Sequence, residues 1–467
     1  MAFGNGKYLT TGIGSSVTTT VRRAGAFALV GTLALAVPTI ARGTRPAIAT
    51  VAAPAPFILV AVFALYVIDS GPLFELFARP GDRRDGRLYG LAGFALAAAA
   101  LALIAVRFHL PMSVFAGTVL LLSWGNLGGH VVRALRDEPV VATVGFVAVG
   151  FVAGAAGQAA VVLERGGTVG SVEWPLVAFL AASGALLGAL LRAVLFERDD
   201  PLVMVSVGLL LWLFADLPLD PDPTRIAIAL GVAAVLGYLT YALKTASLPG
   251  MLTGVFLCLQ TIVLGDYGWF LMLVTFFGLG GISTKFRYEE KKSRGIAEEN
   301  EGARGSGNVL ANSLVGLFAV LGAAASPTYT TVAPDVFLFA FAGSIAAAMS
   351  DTLSSEIGGV FDNPRLITSF ERVEPGTDGA VTWQGEVAGL GGAVLIAAIA
   401  AGAFESIGLL GAGVVVFGGI VGMTVDSLLG ATVEGWLLKN EGVNFAATLA
   451  AAIAAGIVSV AAGVATL

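Results

Sequence analysis

The chain has 467 residues, of which 57% are hydrophobic and only 12% are charged, and its mean hydropathy is +0.87. Soluble domains carry about 25% charged residues, so this composition excludes an ordinary soluble protein and indicates an integral membrane protein. The formal charge of −6 and the lack of a basic stripe argue against nucleic-acid binding. A single cysteine and two histidines exclude an intramolecular disulfide and argue against a metal site rich in those residues.

Apolar stretches of about 20 residues, the length that crosses a bilayer, follow one another along the chain. About fifteen are found, near residues 24–41, 47–68, 88–106, 111–132, 139–162, 173–192, 202–217, 225–243, 247–264, 267–284, 309–326, 335–354, 387–403, 407–428 and 444–465. The sequence therefore predicts an all-α, polytopic integral membrane protein with about 15 transmembrane helices, which lies in the cell membrane.

The basic residues predict an orientation for these helices. If the N-terminus is cytoplasmic and the stretches alternate in direction, 21 of the 26 Lys and Arg residues lie on the cytoplasmic side, as the positive-inside rule requires. The polar segments 285–308, 357–386 and 430–443 then all leave the membrane on the cytoplasmic side. We expect these segments to form one site there.

A short repeat links the two halves of the chain. Residues 115–118 read Phe-Ala-Gly-Thr, and residues 341–344 read Phe-Ala-Gly-Ser at an offset of 226. Eight predicted spans separate the two copies, so a duplication would be a parallel repeat. Gly125 and His130 stand where the second copy has Asp351 and Glu356. On this reading residues 1–224 are a membrane region of unknown role, a degenerate repeat without the carboxylates; chance similarity between apolar helices explains the match equally well.

The loop after the tenth stretch is basic, with five Lys or Arg residues between positions 285 and 294. It leads through Arg304 into a predicted helix whose first turns carry Asn308 and Asn312. Backbone N–H groups at a helix N-terminus suit a phosphate, although the spacing of a P-loop is absent. We predict that Lys285, Arg304, Asn308 and Asn312 bind phosphate or nucleotide. Lys291, Lys292 and Arg294 fit better as cations of a loop that faces anionic lipid.

Carboxylates and hydroxyls concentrate at the end of the stretch 335–354. On a helix, Asp351 and Ser355 share one stripe, and Thr352 and Glu356 lie one turn apart beside it. A carboxylate at the centre of a membrane helix costs about 2.5–3.5 kcal/mol, so such residues commonly mark a functional site. The alternative is that they are interfacial residues in contact with lipid headgroups, which fits Glu356 better than Asp351.

A second row of oxygen ligands follows at Asp426, Gly430 and Glu434, spaced at i, i+4 and i+8. Hard oxygen ligands suit Mg²⁺, which one or two carboxylates, waters and substrate phosphates normally bind. We therefore predict that Asp351 and Asp426 bind a magnesium ion. The interfacial alternative again fits Glu434 better than Asp426.

Between these rows, residues 374–386 contain the turn sequence Pro-Gly-Thr-Asp-Gly. Its glycines allow positive φ angles and expose backbone N–H groups. Such a loop suits a nucleotide phosphate or a lipid headgroup, and it is also common as plain turn chemistry.

Four segments in order, residues 350–358, 364–368, 375–385 and 422–432, together resemble an integral membrane family first catalogued as domain of unknown function number ninety-two. The family includes transmembrane protein nineteen and the phytyl-phosphate kinases of chloroplasts and cyanobacteria. The resemblance covers roughly residues 225–467. The matching positions are Asp351, Thr352, Ser355, Glu356, Gly376, Thr377, Gly379, Asp426, Ser427 and Gly430. Glu434 departs from the family pattern, which often has glutamine there.

The resemblance implies nucleotide-dependent phosphorylation of an isoprenoid lipid monophosphate, with CTP or ATP as donor and Mg²⁺ as cofactor. Asp351, Glu356 and Asp426 would be catalytic, and Thr352, Ser355, Gly376, Thr377, Gly379, Ser427 and Gly430 would contact phosphate or nucleotide. Residues 225–467 would be the catalytic membrane domain. Two alternatives stay open: a CTP-dependent lipid-phosphate cytidylyltransferase, and a secondary transporter or lipid flippase, whose bundles also use paired carboxylates.

Overall fold

The computed structural model describes residues 8–43, 45–195, 200–219, 222–243, 246–296 and 306–467; for residues 8–17, 306 and 308 it describes the helix without the side chain. Contacts between Cα atoms divide the chain into two compact units, one built mainly from residues up to Asp216 and the other mainly from Ala227 onward.

All the regular secondary structure in the described part of the first unit is helical. Its helices are α1 (Tyr8–Gly31), α2 (Val37–Arg42), α3 (Pro46–Ala52), α4 (Ala55–Val62), α5 (Gly71–Phe77), α6 (Pro80–Asp85), α7 (Tyr89–Arg107), α8 (Met112–Leu135), α9 (Pro139–Glu164), α10 (Trp174–Val194) and α11 (Asp200–Asp216). Short 3₁₀ or π segments at Thr32–Leu35, Phe63–Val67 and Val169–Ser171 extend or connect them.

The second unit contains most of α12 (Pro223–Leu243), then α13 (Leu248–Gln260), α14 (Tyr267–Ser283), α15 (Tyr288–Ser293), α16 (Ser306–Tyr329), α17 (Pro334–Gly358), α18 (Trp383–Ala403), α19 (Leu409–Thr432) and α20 (Asn440–Ala461). A π segment at Thr261–Gly265 continues α13. Two strands, β1 (Arg365–Leu366) and β2 (Ala380–Val381), pair antiparallel between α17 and α18.

Thirteen helices among the described residues are long and apolar enough to cross a bilayer. The predicted all-α, polytopic membrane fold is therefore confirmed. Two predicted spans, near 202–217 and 267–284, correspond to α11 and α14, which have only 17 residues each. At 1.5 Å per residue such a helix covers about 25 Å, less than the hydrocarbon thickness of about 30 Å, so the number of candidate spans is thirteen rather than about fifteen.

Helix α17 is the centre of the second unit and packs against α14, α16, α18, α19 and α20. Small residues let its backbone come close to its neighbours: a Cβ atom at Gly418 of α19 would lie only 3.0 Å from the Cα of Gly343. Without a hydrophobic driving force between helices in lipid, such close backbone packing is a main source of their association.

Candidate functional site

The two predicted metal ligands lie side by side because α17 and α19 pack in one register. Gly418 contacts Gly343, and a Cβ at Gly422 would collide with Ala347. Both pairs have an offset of 75 positions, so the helices run in the same direction, and one turn further along each helix this offset pairs Asp351 with Asp426. The carboxyl of Asp426 lies within hydrogen-bonding reach of Asp351.

Asp426 Oδ2 is buried and has no hydrogen-bond partner in the described part of the chain. A buried carboxylate oxygen without a partner is costly, and two adjacent carboxylates repel each other unless a proton or a cation compensates their charge. The chemistry of this pair therefore fits a small hard cation.

No group of three or more His, Cys, Asp or Glu residues that could hold a metal ion occurs in the described ranges. The pair accordingly lacks the further ligands of a closed, all-protein cage. Mg²⁺ is normally bound by one or two carboxylates and completes its shell with waters and substrate phosphates. Asp351 and Asp426 fit that mode of binding.

Three more carboxylates surround the pair electrostatically. Burial raises the pKa of Glu434, and the negative charges of Asp378, Asp351 and Glu441 raise it further. Glu434 lies two residues after the end of α19, Asp378 belongs to the loop before β2, and Glu441 is in the first turn of α20. Acidic residues from three separate segments thus produce a negative potential beside Asp351 and Asp426.

The glycine loop (residues 375–379) is held against α19 next to this pair. Gly379 has φ = +72°, and a Cβ there would lie 2.5 Å from the carbonyl oxygen of Ser427. A Cβ at Gly430 would lie 2.9 Å from the backbone nitrogen of Gly379. The loop can therefore lie on α19 only because both positions are glycine.

The segment that carries the loop is anchored at both ends. β1 and β2 pair within it, and Ile367 N donates to Gly379 O at 3.1 Å. Where α18 begins, the Thr382 hydroxyl donates to Gly358 O at 3.3 Å and accepts from Gly385 N at 3.2 Å. One threonine thus caps α18 and ties its start to the end of α17.

The structure places Lys291 differently from its predicted role as an exposed loop cation. Its side chain is 2% exposed, and Nζ donates to Thr284 O at 2.7 Å and forms an ion pair with Glu356. The neighbouring Lys292 is exposed. Nothing in the local sequence separates these two lysines, because their difference comes from the contacts of Lys291 with the residue after α14 and with Glu356 of α17. The prediction for Lys291 was wrong.

Arg294 makes a second link from the same segment. Its Nη2 donates to Asp362 Oδ1 and to Glu290 Oε1, each at 3.0 Å, and its Nη1 is buried without a partner among the described residues. Ile296 also packs on Gly376, whose φ is +86°. These contacts join the basic stretch after α14 to the stretch between α17 and α18 that carries the glycine loop.

The remaining predicted site residues have varied settings. Thr352 and Gly430 are buried, and Ser427 is half-buried. Ser355 and Thr377 are exposed, and their hydroxyls donate to Thr352 O and Glu374 O, respectively. Lys285 is exposed just after α14. Asn312 is buried in α16. Arg304 and the side chain of Asn308 lie outside the described residues. The start of α16 lies close to the acidic group formed by Asp378, Glu434 and Glu441, since a Cβ at Gly307 would lie 3.3 Å from Glu441 Oε1.

The described part of the first unit has an ion-paired cluster beside Asn126 of α8, where the second unit has its carboxylate pair. Arg192 Nη2 donates to Asn126 Oδ1 at 2.8 Å, and Asp200 accepts from Arg192 at 3.2 Å and from Arg79 at 2.6 Å. The guanidinium groups of Arg79 and Arg192 also lie over the rings of Phe27 and Phe146. Each of these contacts joins different helices, or joins a helix to Arg79 at the start of α6, so the cluster has an evident structural role.

Residues 231–452 match the model of the family described as integral membrane protein DUF92. This range lies within the predicted 225–467. No solved structure matches the chain.

Several other proteins are similar to part of this chain. The uncharacterised membrane protein MJ0933 of Methanocaldococcus jannaschii is 40% identical over 191 residues, which are 40% of this chain and 74% of the relative. The uncharacterised membrane protein sll0875 of Synechocystis is 32% identical over 209 residues, 43% of this chain and 78% of the relative. The chloroplast protein VTE6 of Arabidopsis thaliana is 33% identical over 138 residues, 28% of this chain and 39% of VTE6.

Two of these alignments cover more than two thirds of the relative at over 30% identity. On this evidence, together with the family match, the chain belongs to the DUF92 family of integral membrane proteins.

Proposed function

We propose that this membrane protein is a Mg²⁺-dependent phosphotransferase that moves a phosphoryl group from CTP or ATP to an isoprenoid lipid monophosphate. The observation that carries the proposal is the contact between Asp351 and Asp426, with Asp426 Oδ2 buried and unpaired. The chloroplast relative VTE6 and the resemblance to phytyl-phosphate kinases support the choice of an isoprenoid substrate.

In this proposal the two aspartates hold Mg²⁺, which would neutralise charge on the phosphates. Phosphoryl transfer depends mainly on positioning and electrostatic stabilisation, so the protein needs no covalent step. It also needs no general base, because a phosphate acceptor is already ionised near neutral pH. The glycine loop covers the pair and is suited to the nucleotide phosphates, with Thr377, Gly379, Ser427 and Gly430 nearest to them.

The position of the carboxylates along their helices favours an enzyme over a transporter. Asp351 lies seven residues before the end of α17, and Asp426 lies six residues before the end of α19, about 10 Å from each helix end. Transporters place their key charges near the midplane, in broken helices. α17 and α19 are continuous here, and their charged ends are covered by polar segments that water-soluble nucleotide could reach.

The proposal assigns the chemistry to residues 225–467 and places the site on the cytoplasmic side, where nucleotide is available. Residues 1–224 would contribute packing or lipid access and no catalytic group, since the described part of α8 carries Gly125 and His130 where α17 has Asp351 and Glu356.

The test is to incubate the purified protein in detergent with Mg²⁺, each of the four nucleoside triphosphates and geranylgeranyl or phytyl monophosphate. Formation of the lipid diphosphate and the nucleoside diphosphate, lost in Asp351→Asn, supports the kinase. Release of pyrophosphate with transfer of the nucleotide to the lipid would instead identify a cytidylyltransferase. If neither product forms with any donor, the enzyme proposal fails and a transporter becomes the better reading.

A further inference from the structure

A large groove lies in the second unit, between α12, α13 and α14. Its volume is about 490 Å³, within the range of about 300–1,000 Å³ typical of small-molecule pockets. The lining is mostly apolar and includes Leu236, Met251 and Phe277. Within a bilayer such a space is filled by hydrocarbon, because water gains too few hydrogen bonds there.

One end of the groove is polar. Among the described residues that line it, Lys285 is the one with a charge. Leu243 ends α12, Gly250 lies in the first turn of α13, Val309 lies in the first turn of α16, and Lys285 follows α14. All four therefore lie at the same end of the groove, and the stretch of α14 from Val274 to Ser283 covers about 14 Å.

That end is linked through Lys291 to the helix that carries Asp351. The carbonyl of Thr284, adjacent to Lys285, accepts a hydrogen bond from Lys291 Nζ, which forms the ion pair with Glu356. Glu356 lies five residues after Asp351 on α17. Val309 in turn follows Gly307, which packs against Glu441 of the acidic group. A molecule whose tail fills the groove would therefore place its head group near the carboxylates.

We propose that this groove binds the hydrocarbon tail of a single-chain lipid monophosphate and that Lys285 attracts its phosphate. The choice of lipid rests on the proposed function, whereas the groove and its cation are features of the structure. Charge complementarity decides the occupant. The lysine at the mouth of the apolar groove attracts an anionic phosphate, whereas a neutral lipid would gain no charge interaction from it.

Three glycines mark positions in the groove where a larger side chain would fill the space without colliding with a neighbour. Gly254 and Gly278 line it, and a Cβ at either position would meet nothing within 4 Å; Gly281 is equivalent. Gly254→Leu and Gly278→Phe should therefore occupy the space and leave the helices in place. Gly391→Leu on α18 is the matched control, because that position is equally open and is not part of the groove lining.

The probe is a photoactivatable geranylgeranyl monophosphate, applied to protein in nanodiscs without nucleotide or Mg²⁺. We expect at least fivefold less labelling in Gly254→Leu and Gly278→Phe and unchanged labelling in Gly391→Leu. Lys285→Gln should lower labelling by the monophosphate but not by the corresponding uncharged alcohol. Melting and gel-filtration profiles like those of the native protein identify the variants that are folded.

Unchanged labelling in folded Gly254→Leu and Gly278→Phe would overturn the proposal. So would displacement of the probe by phosphatidic acid as readily as by unlabelled geranylgeranyl monophosphate, because the groove would then belong to ordinary two-chain lipid. The readout needs no turnover, so failure of the phosphotransferase assay and failure of the groove remain distinguishable.

Discussion

Lys291 and Glu356 form a nearly buried ion pair although they lie 65 positions apart in the chain, with side chains 2% and 13% exposed. The pair holds the segment after α14 against the end of α17. It also gives Glu356 a structural partner, so its predicted catalytic role needs to be separated from a role in folding.

Removal of one partner of this pair should be strongly destabilising, because it leaves a buried charge unpaired. We expect Lys291→Met or Glu356→Leu to lower the free energy of unfolding by about 3–5 kcal/mol. The double variant should recover most of that loss, since two apolar residues of similar volume leave no charge behind. Thermal denaturation in detergent measures the four proteins of this cycle.

The same cycle decides what Glu356 does. If the double variant is stable and retains turnover, Glu356 is a structural residue and the catalytic prediction is wrong. If it is stable and inactive, Glu356 acts in the site as well.

Substitution of the carboxylate pair should remove activity and spare the fold. Asp426→Asn keeps the shape of the side chain and removes a metal ligand, so we expect a loss of at least about a hundredfold in turnover, equivalent to roughly 2.7 kcal/mol in the barrier. The melting temperature should stay the same or rise, because the repulsion from Asp351 is gone. The measurement is Mg²⁺-dependent formation of lipid diphosphate.

Two controls accompany that substitution. Asp335→Asn changes a carboxylate at the opposite end of α17 and should leave turnover unchanged. His130→Ala in the first unit should keep turnover within about tenfold, a barrier change of about 1.4 kcal/mol or less. A thousandfold loss in folded His130→Ala would show that the first unit contributes to the active site.

Glu434 predicts a pH dependence. Burial and the neighbouring carboxylates raise its pKa, so the folded protein favours its neutral form. The contribution of Glu434 to stability is therefore present at pH values below its ordinary pKa and is lost as the pH rises through the raised pKa. Without metal, Glu434→Gln should raise the melting temperature at pH 8 and change it little at pH 4.

A divalent cation should act in the opposite direction, because it favours the ionised carboxylates. We expect the affinity for Mn²⁺, followed by its electron paramagnetic resonance signal, to rise with pH through the raised pKa of Glu434. An affinity that is flat across this range, or equal in Glu434→Gln at every pH, would show that Glu434 does not influence cation binding by Asp351 and Asp426.

The glycine loop allows a matched pair of substitutions. Gly379→Ala adds a Cβ at positive φ and also presses it against α19 at Ser427. Gly435→Ala adds a Cβ at a similar φ of +80° where nothing lies within 4 Å. Gly435→Ala adds only backbone strain, which costs about 1–2 kcal/mol. We expect Gly379→Ala to lower turnover more than tenfold and Gly435→Ala to lower it less than threefold; equal effects would mean that contact with α19 does not matter.

Orientation can be measured by cysteine labelling in a Cys258→Ala background. Cysteines introduced at Lys285, Gly376 and Lys439 should all be protected from impermeant thiol reagents in sealed cells and become reactive after permeabilisation, because the positive-inside rule places all three in the cytoplasm. Labelling of any one of them from outside would contradict a single cytoplasmic site.

The sequence by itself determined the fold class and the family. Long apolar stretches predict membrane helices because backbone groups in lipid must be satisfied within a helix. The spacing of Asp351, Ser355, Asp426 and Gly430 predicts one polar face on each of two helices, because helical periodicity is a local property. The apolar stretches near α11 and α14 also predict helices correctly, because helix formation is local. Their hydropathy does not show that these helices are shorter than the thickness of the bilayer.

Only the tertiary structure decided which of these groups meet. The common register of α17 and α19, which pairs Gly343 with Gly418 and Ala347 with Gly422, brings Asp351 to Asp426. It also decided that Lys291 is buried and Lys292 exposed, and that Gly379 lies on Ser427. These contacts join residues up to 75 positions apart, and they depend on how closely small side chains allow backbones to approach, which no local pattern of charge or hydropathy records.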